Sequence, residues 1–489
     1  MQDYGSWSLL PPVVAIALAL ITRQVFISLI VGIWVGWVII DRGNILTGSF
    51  DTLHAVVDVF SDPGNTRVII FTLLVGSLIA LVQRSGGVEG FTRAVMSWLE
   101  KSNHTGKRVR VELLAACTGL MLFIESNISI LTVGTLFRPI TDKLVVPREK
   151  LAYIADSSSA PSCVLIPLNA WGAYLMGLLM GQGVEQPFTV LLKAMVFNFY
   201  PLLAIALLFY LIMSRKDYGP MLAAEERAAQ SGKLLADGAT PMISDEIALL
   251  TAKENVPLQA RHMIIPILGM VMLMPIFLIM TGWQDAQGNG QLQRAFSAIS
   301  NGSGSTSVLF SVTFAILIAM AMYRIKGLMK IPEMVDVSLK GMAGMVQLAL
   351  LMVLAFAIGN LCKQLGTGVY VAELSAQWLS PVLVPAVIFL VSCFIAFSTG
   401  TSWGTFAIMI AIAVPVAAEH QLSLPLVVAA AIGGGVFGDH CSPISDTTVI
   451  SSMASASDHI DHVKTQLPYA LSAGLVAVVL YLISGFLFS

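Results

Sequence analysis

Charge is scarce in this chain: only 11% of its 489 residues are Asp, Glu, Lys or Arg, where soluble domains carry about a quarter. That is too little to dress a globular surface. The 27 Lys and Arg and the 29 Asp and Glu nearly cancel, leaving a net charge of -2. The basic residues fall in short loops between apolar runs rather than on one solvated face, which excludes nucleic acid as a partner. Cysteine is equally sparse. Cys117, Cys163, Cys362, Cys393 and Cys441 are odd in number and lack close metal-ligand spacing, so neither a disulfide framework nor a zinc site is expected. The first ten residues hold Asp3 and no Lys or Arg. Without the positive start of a cleavable signal, the first apolar run is expected to stay in the mature protein.

What is abundant is hydrophobicity, at 56% of residues with a mean hydropathy of +0.82. The expected class is an all-α polytopic membrane protein whose first partner is the lipid bilayer. Apolar runs start near Leu9, Val25, Thr66, Leu151, Phe188, His262, Ser303, Gly341, Pro425 and Gln466, which gives about ten full spans of bilayer length. Two more runs, residues 111–137 and 381–418, are interrupted at mid-length by small polar residues. The first is flanked on both sides by basic residues, Arg84 to Arg110 before it and Arg138 to Lys150 after it. A single crossing would place one basic flank outside, against the preference of Lys and Arg for the cytoplasm. A re-entrant hairpin satisfies both flanks. Its arms, about a dozen residues each, rise about 18 Å, short of the roughly 30 Å core, so its tip lies near mid-membrane. Carried along the chain, the same rule puts residues 214–261 inside as a solvated linker and both termini outside, in a bacterial inner membrane.

The two halves match at an offset of about 280 residues. Gln83-Arg84-Ser85-Gly86-Gly87-Val88 resembles Lys363-Gln364-Leu365-Gly366-Thr367-Gly368-Val369. Each half then offers a hairpin and a helix broken by an acid, small polar residues and a proline. The breaks read Asp156-Ser157-Ser158-Ser159-Ala160-Pro161 and Asp439-His440-Cys441-Ser442-Pro443. The expected organisation is therefore two inverted repeats. The first, residues 1–213, has hairpin 111–137 and broken helix 151–180; the second, residues 262–489, has hairpin 381–418 and broken helix 425–455. Inverted repeats with interrupted helices are a transporter plan, with the substrate and coupling ions bound near the midplane.

Unwound backbone at membrane depth exposes carbonyl oxygens where it lines a cavity. Ser and Thr hydroxyls, Asn carbonyls and a carboxylate complete an oxygen cage suited to sodium. The hairpin tips supply Glu125, Ser126 and Asn127 in one half and Ser398, Thr399, Thr401 and Ser402 in the other. The breaks supply Asp156, Ser157, Ser158 and Ser159, and Asp439, His440, Ser442, Ser445, Asp446 and Thr447. Acids inside the bilayer cost about 2.5–3.5 kcal/mol and mark function by default, although Asp is also an ordinary helix cap. The expected sodium ligands are Asn127, Asp156, Thr399, Asp439 and Asp446. His440 can exchange a proton near neutral pH or simply hold a hydrogen bond. Trp171 and Trp403 either stack a solute or pack.

The string Gly438-Asp439-His440-Cys441-Ser442-Pro443-Ile444-Ser445-Asp446-Thr447-Thr448 resembles the sodium/proton antiporters of the NhaC family, within the wider ion-transporter superfamily. The similarity extends through Asp156 to Pro161 and the tip Glu125-Ser126-Asn127. That tip is similar to the Ser-Asn-Thr turns of the superfamily's dicarboxylate carriers, but with Ile128 where Thr would fall. The resemblance implies a scaffold and a moving transport domain, a homodimer, and an elevator-like movement. It also implies no resident cofactor, with sodium as the transported or coupling ion.

The expected activity is exchange of sodium for protons, one carboxylate accepting either. The other reading is sodium-coupled symport or exchange of a small organic solute, an amino acid or carboxylate. An enzyme is not expected: His440 and Cys441 adjoin Asp439, but no second His or oxyanion motif accompanies them.

Overall fold

The computed structural model describes residues 4–22, 24–100, 106–123, 126–241, 253, 256–287, 291–443 and 445–488. Among these the structure is helical, apart from one isolated bridge between Pro241 and Asp458. Helices close their own backbone hydrogen bonds, which is what hydrocarbon demands.

The first half opens with α1 (Leu10–Thr22), α2 (Val25–Ile40) and the amphipathic α3 (Ile45–Asp58). Next come α4 (Pro63–Arg84), the short α5 (Gly87–Glu100), and a hairpin of α6 (Lys107–Met121) and α7 (Ser126–Lys143). A bent pair follows, α8 (Arg148–Leu165) and α9 (Ala170–Gly181), angled by 42°, then α10 (Pro187–Phe197) and α11 (Phe199–Ser214). The linker carries α12 (Gly219–Ser231). The second half carries a hairpin and an interrupted helix in the same order. It begins with α13 (Arg261–Gly282), α14 (Gln291–Asn301), α15 (Gly304–Ile325) and α16 (Ile331–Gly344), followed by α17 (Val346–Gln364) and α18 (Thr367–Trp378). Its hairpin is α19 (Val384–Thr399) with α20 (Ser402–Glu419), its interrupted helix α21 (Leu424–Cys441) with α22 (Asp446–Ser455), and its last element α23 (His459–Phe488). By length and composition nine of the described helices can cross a membrane, ten if the bent pair counts as one span.

Local chemistry marks the repeat. α4 starts on the Asp62 carboxylate, which accepts from Asn65 N–H at 2.8 Å, with Pro63 in the first turn; an acidic cap and an early proline are strong start signals. It stops at Gly86, and α17 stops at Gly366, with φ of 70° and 71°, the left-handed cap that glycine adopts without strain. At this spacing of 280 residues Thr72 corresponds to Met352, and the two meet: Thr72 Oγ1 lies 3.2 Å from Met352 Sδ. Contact between equivalent positions is what a two-fold relationship between halves produces. From the hairpins onward the register tightens, Ser126, Arg148 and Ala170 being matched 276 residues later by Ser402, Leu424 and Asp446.

The first break lies elsewhere than its Ser and Pro content predicts. Helix α8 runs through Asp156 to Pro161 without interruption and ends at Leu165. The helix accommodates its buried serines because their hydroxyls find partners within it: Ser158 Oγ donates to the Ile154 carbonyl at 2.7 Å, Ser159 Oγ to Asp156 at 2.9 Å and Ser162 Oγ to Ser158 at 2.9 Å. The chain unwinds at Ile166, whose backbone is extended, because the residue before a proline, here Pro167, is pushed out of helical geometry.

The linker is also more than a solvated connector. Arg227 on α12 pairs with Glu149 of α8 at 2.9 Å, Glu225 pairs with Arg108 of α6, and Lys150 of α8 pairs with Asp217. Farther on, Lys253 pairs with Glu333 of α16 at 2.6 Å. One apolar core spans both halves, and a smaller one, including Ile130, Phe137, Ile154 and Leu208, lies among α6, α7, α8 and α11.

Candidate functional site

Asp439 sits in the last turn of α21, 1% exposed. Glycines bring that helix close to the hairpin arm α19: a Cβ at Gly434 would meet the Phe389 carbonyl, and one at Gly438 the Cys393 carbonyl. Two hydroxyls converge on the carboxylate. Ser402 Oγ, from the hairpin tip at the start of α20, donates to Oδ2 at 2.9 Å, and Ser445 Oγ, from the break, donates to Oδ1 at 2.5 Å. Thr447 Oγ1 lies 3.0 Å from Ser445 Oγ. The hairpin and the break thus meet at one acid, and the donor set is entirely oxygen, which suits a hard monovalent cation. Among the described residues no group of three or more His, Cys, Asp or Glu could hold a metal ion.

Asp156 is fully buried two turns before the end of α8 and forms a second centre. Its Oδ2 accepts from Gln466 Nε2 at 2.7 Å and lies 3.5 Å from His462 Nε2, both on α23. Its Oδ1 has no hydrogen-bond partner among the described residues, and neither does Gln466 Oε1. Between the two acids stands His440. Its Nε2 is 3.0 Å from Ser157 Oγ, its Nδ1 is 2.7 Å from Tyr200 Oη, and its backbone carbonyl accepts from Gln466 at 2.5 Å.

The remaining expected residues scatter. Ser158 and Ser159 spend their hydroxyls on their own helix. Thr399 Oγ1 donates to the Ile395 carbonyl, and Thr399 and Thr401 line an apolar cleft against α1 and α2 with Ala15, Ser28 and Leu29. Ser442 is buried at the break and Ser398 is half-buried. Ser126 is buried at the first tip, and beside it Asn127 Oδ1 is buried with no hydrogen-bond partner among the described residues. Glu125 lies outside the described residues, as does the side chain of Asp446.

Three contributors carry no local motif: Gln466, His462 and Tyr200. The spacing of four between His462 and Gln466, at the start of an apolar run, puts both on one helix face and is the signal that could have found them. Asn169 is a fourth. Its Oδ1 caps α9 through Gly172 N–H at 2.9 Å, and its Nδ2 donates to the carbonyls of Phe123 and Cys163, each at 2.8 Å. In the 276-residue register Asn169 corresponds to Ser445, Ser126 to Ser402, and Cys163 to Asp439. The first half therefore has a thiol where the second has its carboxylate.

Aromatic rings wall the second hairpin tip. Trp171 and Trp403 have centroids 5.1 Å apart, Tyr174 and Trp403 4.7 Å, and Tyr174 and Phe356 5.9 Å. Tyr174 Oη donates to the Trp403 carbonyl at 2.9 Å. Beside Phe356 a small cleft lies between α4, α9, α17 and α20, with Asn65, Gln182 and Asn360 in its lining. These rings pack directly beside Ser402, the residue before Trp403.

Known proteins resemble the chain at three levels. A Haemophilus influenzae protein of uncharacterised function is 32% identical, aligned over 100% of this chain and 92% of its own length. The malate-2H(+)/Na(+)-lactate antiporter of Bacillus subtilis is 31% identical over 136 residues, 24% of this chain and 29% of that protein. The crystal structure of the YdaH transporter of Alcanivorax borkumensis superposes with a TM-score of 0.57 over 89% of this chain and 88% of that one, at 13% identity, a likeness of fold alone. The sequence model of the Na+/H+ antiporter family matches residues 180–486, which include the second hairpin, Asp439 and Gln466. This multi-pass membrane protein belongs to the Na+/H+ antiporter family.

Proposed function

We propose that the protein exchanges sodium for protons across the bacterial inner membrane, with Asp439 as the shared binding group. The observation that carries this reading is the buried Asp439 carboxylate held between Ser402 of the hairpin and Ser445 of the break. A carboxylate in this position accepts a proton or a sodium ion, not both. When sodium binds, the two hydroxyls rotate and offer lone pairs in place of their protons, and Thr447 Oγ1 is close enough to join. When a proton binds, the charge that held the ion is gone. Because the ligands come from two elements, movement of the hairpin against the break opens or closes the site, as alternating access requires. An elevator-like movement and a homodimer belong to the same reading.

The test is pH-dye fluorescence in proteoliposomes with an imposed sodium gradient and no organic solute. Sodium-dependent proton movement that disappears in Asp439→Asn is the expected result. A wild-type protein that moves no protons under this gradient would rule the reading out.

A second reading, exchange of a small organic solute coupled to sodium, draws support from the aromatic wall at Trp171, Tyr174 and Trp403 and from the similarity to a malate and lactate antiporter. Uptake of labelled amino acids and carboxylic acids into the same vesicles separates the two.

A further inference from the structure

The two acids sit on different repeats, yet neighbouring residues tie them together twice. Ser157, next to Asp156, meets the ring of His440, next to Asp439. Gln466 makes the second tie and is the more informative of the two. Its Nε2 has two protons and spends both on acceptors, the Asp156 carboxylate at 2.7 Å and the His440 carbonyl at 2.5 Å. Two acceptors on one side fix which way the amide faces, so its Oε1 is turned away and has no hydrogen-bond partner among the described residues. The His440 carbonyl belongs to the last turn of α21, where carbonyls lack partners within the helix. Gln466 therefore caps that helix from outside, with the same nitrogen that reads the charge of Asp156.

The ring of His440 cannot follow a moving amide, because both its nitrogens are engaged, one by Ser157 and one by Tyr200. A cation drawn to the open Oδ1 of Asp156 needs further oxygen ligands, and the nearby amide supplies one by turning its Oε1, unpartnered among the described residues, toward the ion. Turning takes its nitrogen from the His440 carbonyl and uncaps the end of α21 that carries Asp439.

We propose that Gln466 is the positioning residue that couples ion occupancy at Asp156 to the geometry of the Asp439 site, and so sets how strictly the two ions are exchanged. The inference rests on the exchange reading given above. It concerns the tightness of coupling, not whether Asp439 binds an ion.

The experiment compares wild type with Gln466→Met, similar in size but without a donor, in vesicles where radioactive sodium entry and proton exit are both followed. The expected result is that sodium entry continues while the protons moved per sodium ion fall about fivefold or more, the scale of a lost site-to-site coupling. A ratio equal to that of wild type overturns the proposal and leaves the exchange reading standing. A wild-type protein with no sodium-driven proton movement overturns both. If Gln466→Met does not purify as a folded protein, Ser157→Ala, which removes the other tie, decides: a lowered ratio supports the coupling and an unchanged one ends it. A purely structural loss would lower both fluxes together and leave their ratio intact, which also counts against the proposal.

Discussion

The side-chain amide of Asn169 reaches the carbonyl of Phe123 at 2.8 Å, so the break between α8 and α9 is tied to the tip of the first hairpin. The same side chain caps α9 through Gly172. Asn169→Ala is expected to cost about 1 kcal/mol for the cap and about 1–3 kcal/mol more for carbonyls left without their donor. Asn169→Asp keeps the cap but not the donor, and should recover only the first part. Thermal unfolding of the three proteins in detergent checks this; equal melting for Asp and wild type would show that the tie to Phe123 is idle.

The hydroxyls at Asp439 give a second expectation. In the proposed sodium-bound form each hydroxyl turns a lone pair to the ion, a contact with a charged partner on the order of 1.5–3 kcal/mol, and each 1.4 kcal/mol is tenfold in affinity. Ser445→Ala should therefore raise the sodium concentration for half-maximal proton movement about tenfold or more, and Ser402→Ala should act in the same direction. Ser158→Ala, whose hydroxyl stays within α8, should leave it unchanged. A sodium titration of dye fluorescence decides, and a Ser445→Ala curve lying on the wild-type one would remove Ser445 from the site.

The architecture is legible in the sequence because it is written in long-range pattern. Basic residues on both sides of residues 111–137 demand a hairpin, and the paired Gly86 and Gly366 mark the same helix end twice. Asp439, Ser402 and Ser445 are legible because small polar residues beside an acid have little other reason to lie in an apolar run. The first break is not. A Ser-rich stretch ending in proline looks like an interruption, yet hydroxyls that bond back along the helix are satisfied without breaking it, and the chain unwinds only before Pro167. Gln466 and His462 are hidden for a different reason. Their partners, Asp156 and His440, lie on other helices, and no local pattern announces a contact across 310 residues.

The linker carries a stability prediction. Glu149 is 1% exposed and its partner Arg227 is 22% exposed. Removing the arginine strands a buried carboxylate, a change that costs about 3–5 kcal/mol in fully buried pairs and less here, since water reaches the guanidinium. Arg227→Ala should lower the melting temperature by several degrees, and adding Glu149→Gln should restore most of the loss. A double variant no better than the single one would mean that α12 docks by its apolar face alone.

Glu333, on α16 outside the spanning helices, has its carboxyl held below the usual 4.5, chiefly by the hydrogen bond from Lys253. A lowered folded-state value gives stability that is full above the unfolded value and is lost as the pH falls through the folded one. Melting temperature should therefore decline below about pH 4.5, and Glu333→Gln should flatten that part of the curve while leaving the neutral plateau lower. A decline of the same slope in the variant would assign the acid sensitivity to other groups.

Cys163 and Asp439 stand at corresponding places in the two repeats. When two halves of like shape trade conformations, the backbone of one facing form is a rotated copy of the other, and the two would be equal in energy if shape were all that counted. A thiol in one place and a carboxylate in the other break that degeneracy. Under the exchange reading proposed above, a preference of the resting protein for one side of the membrane would come from side chains the halves do not share.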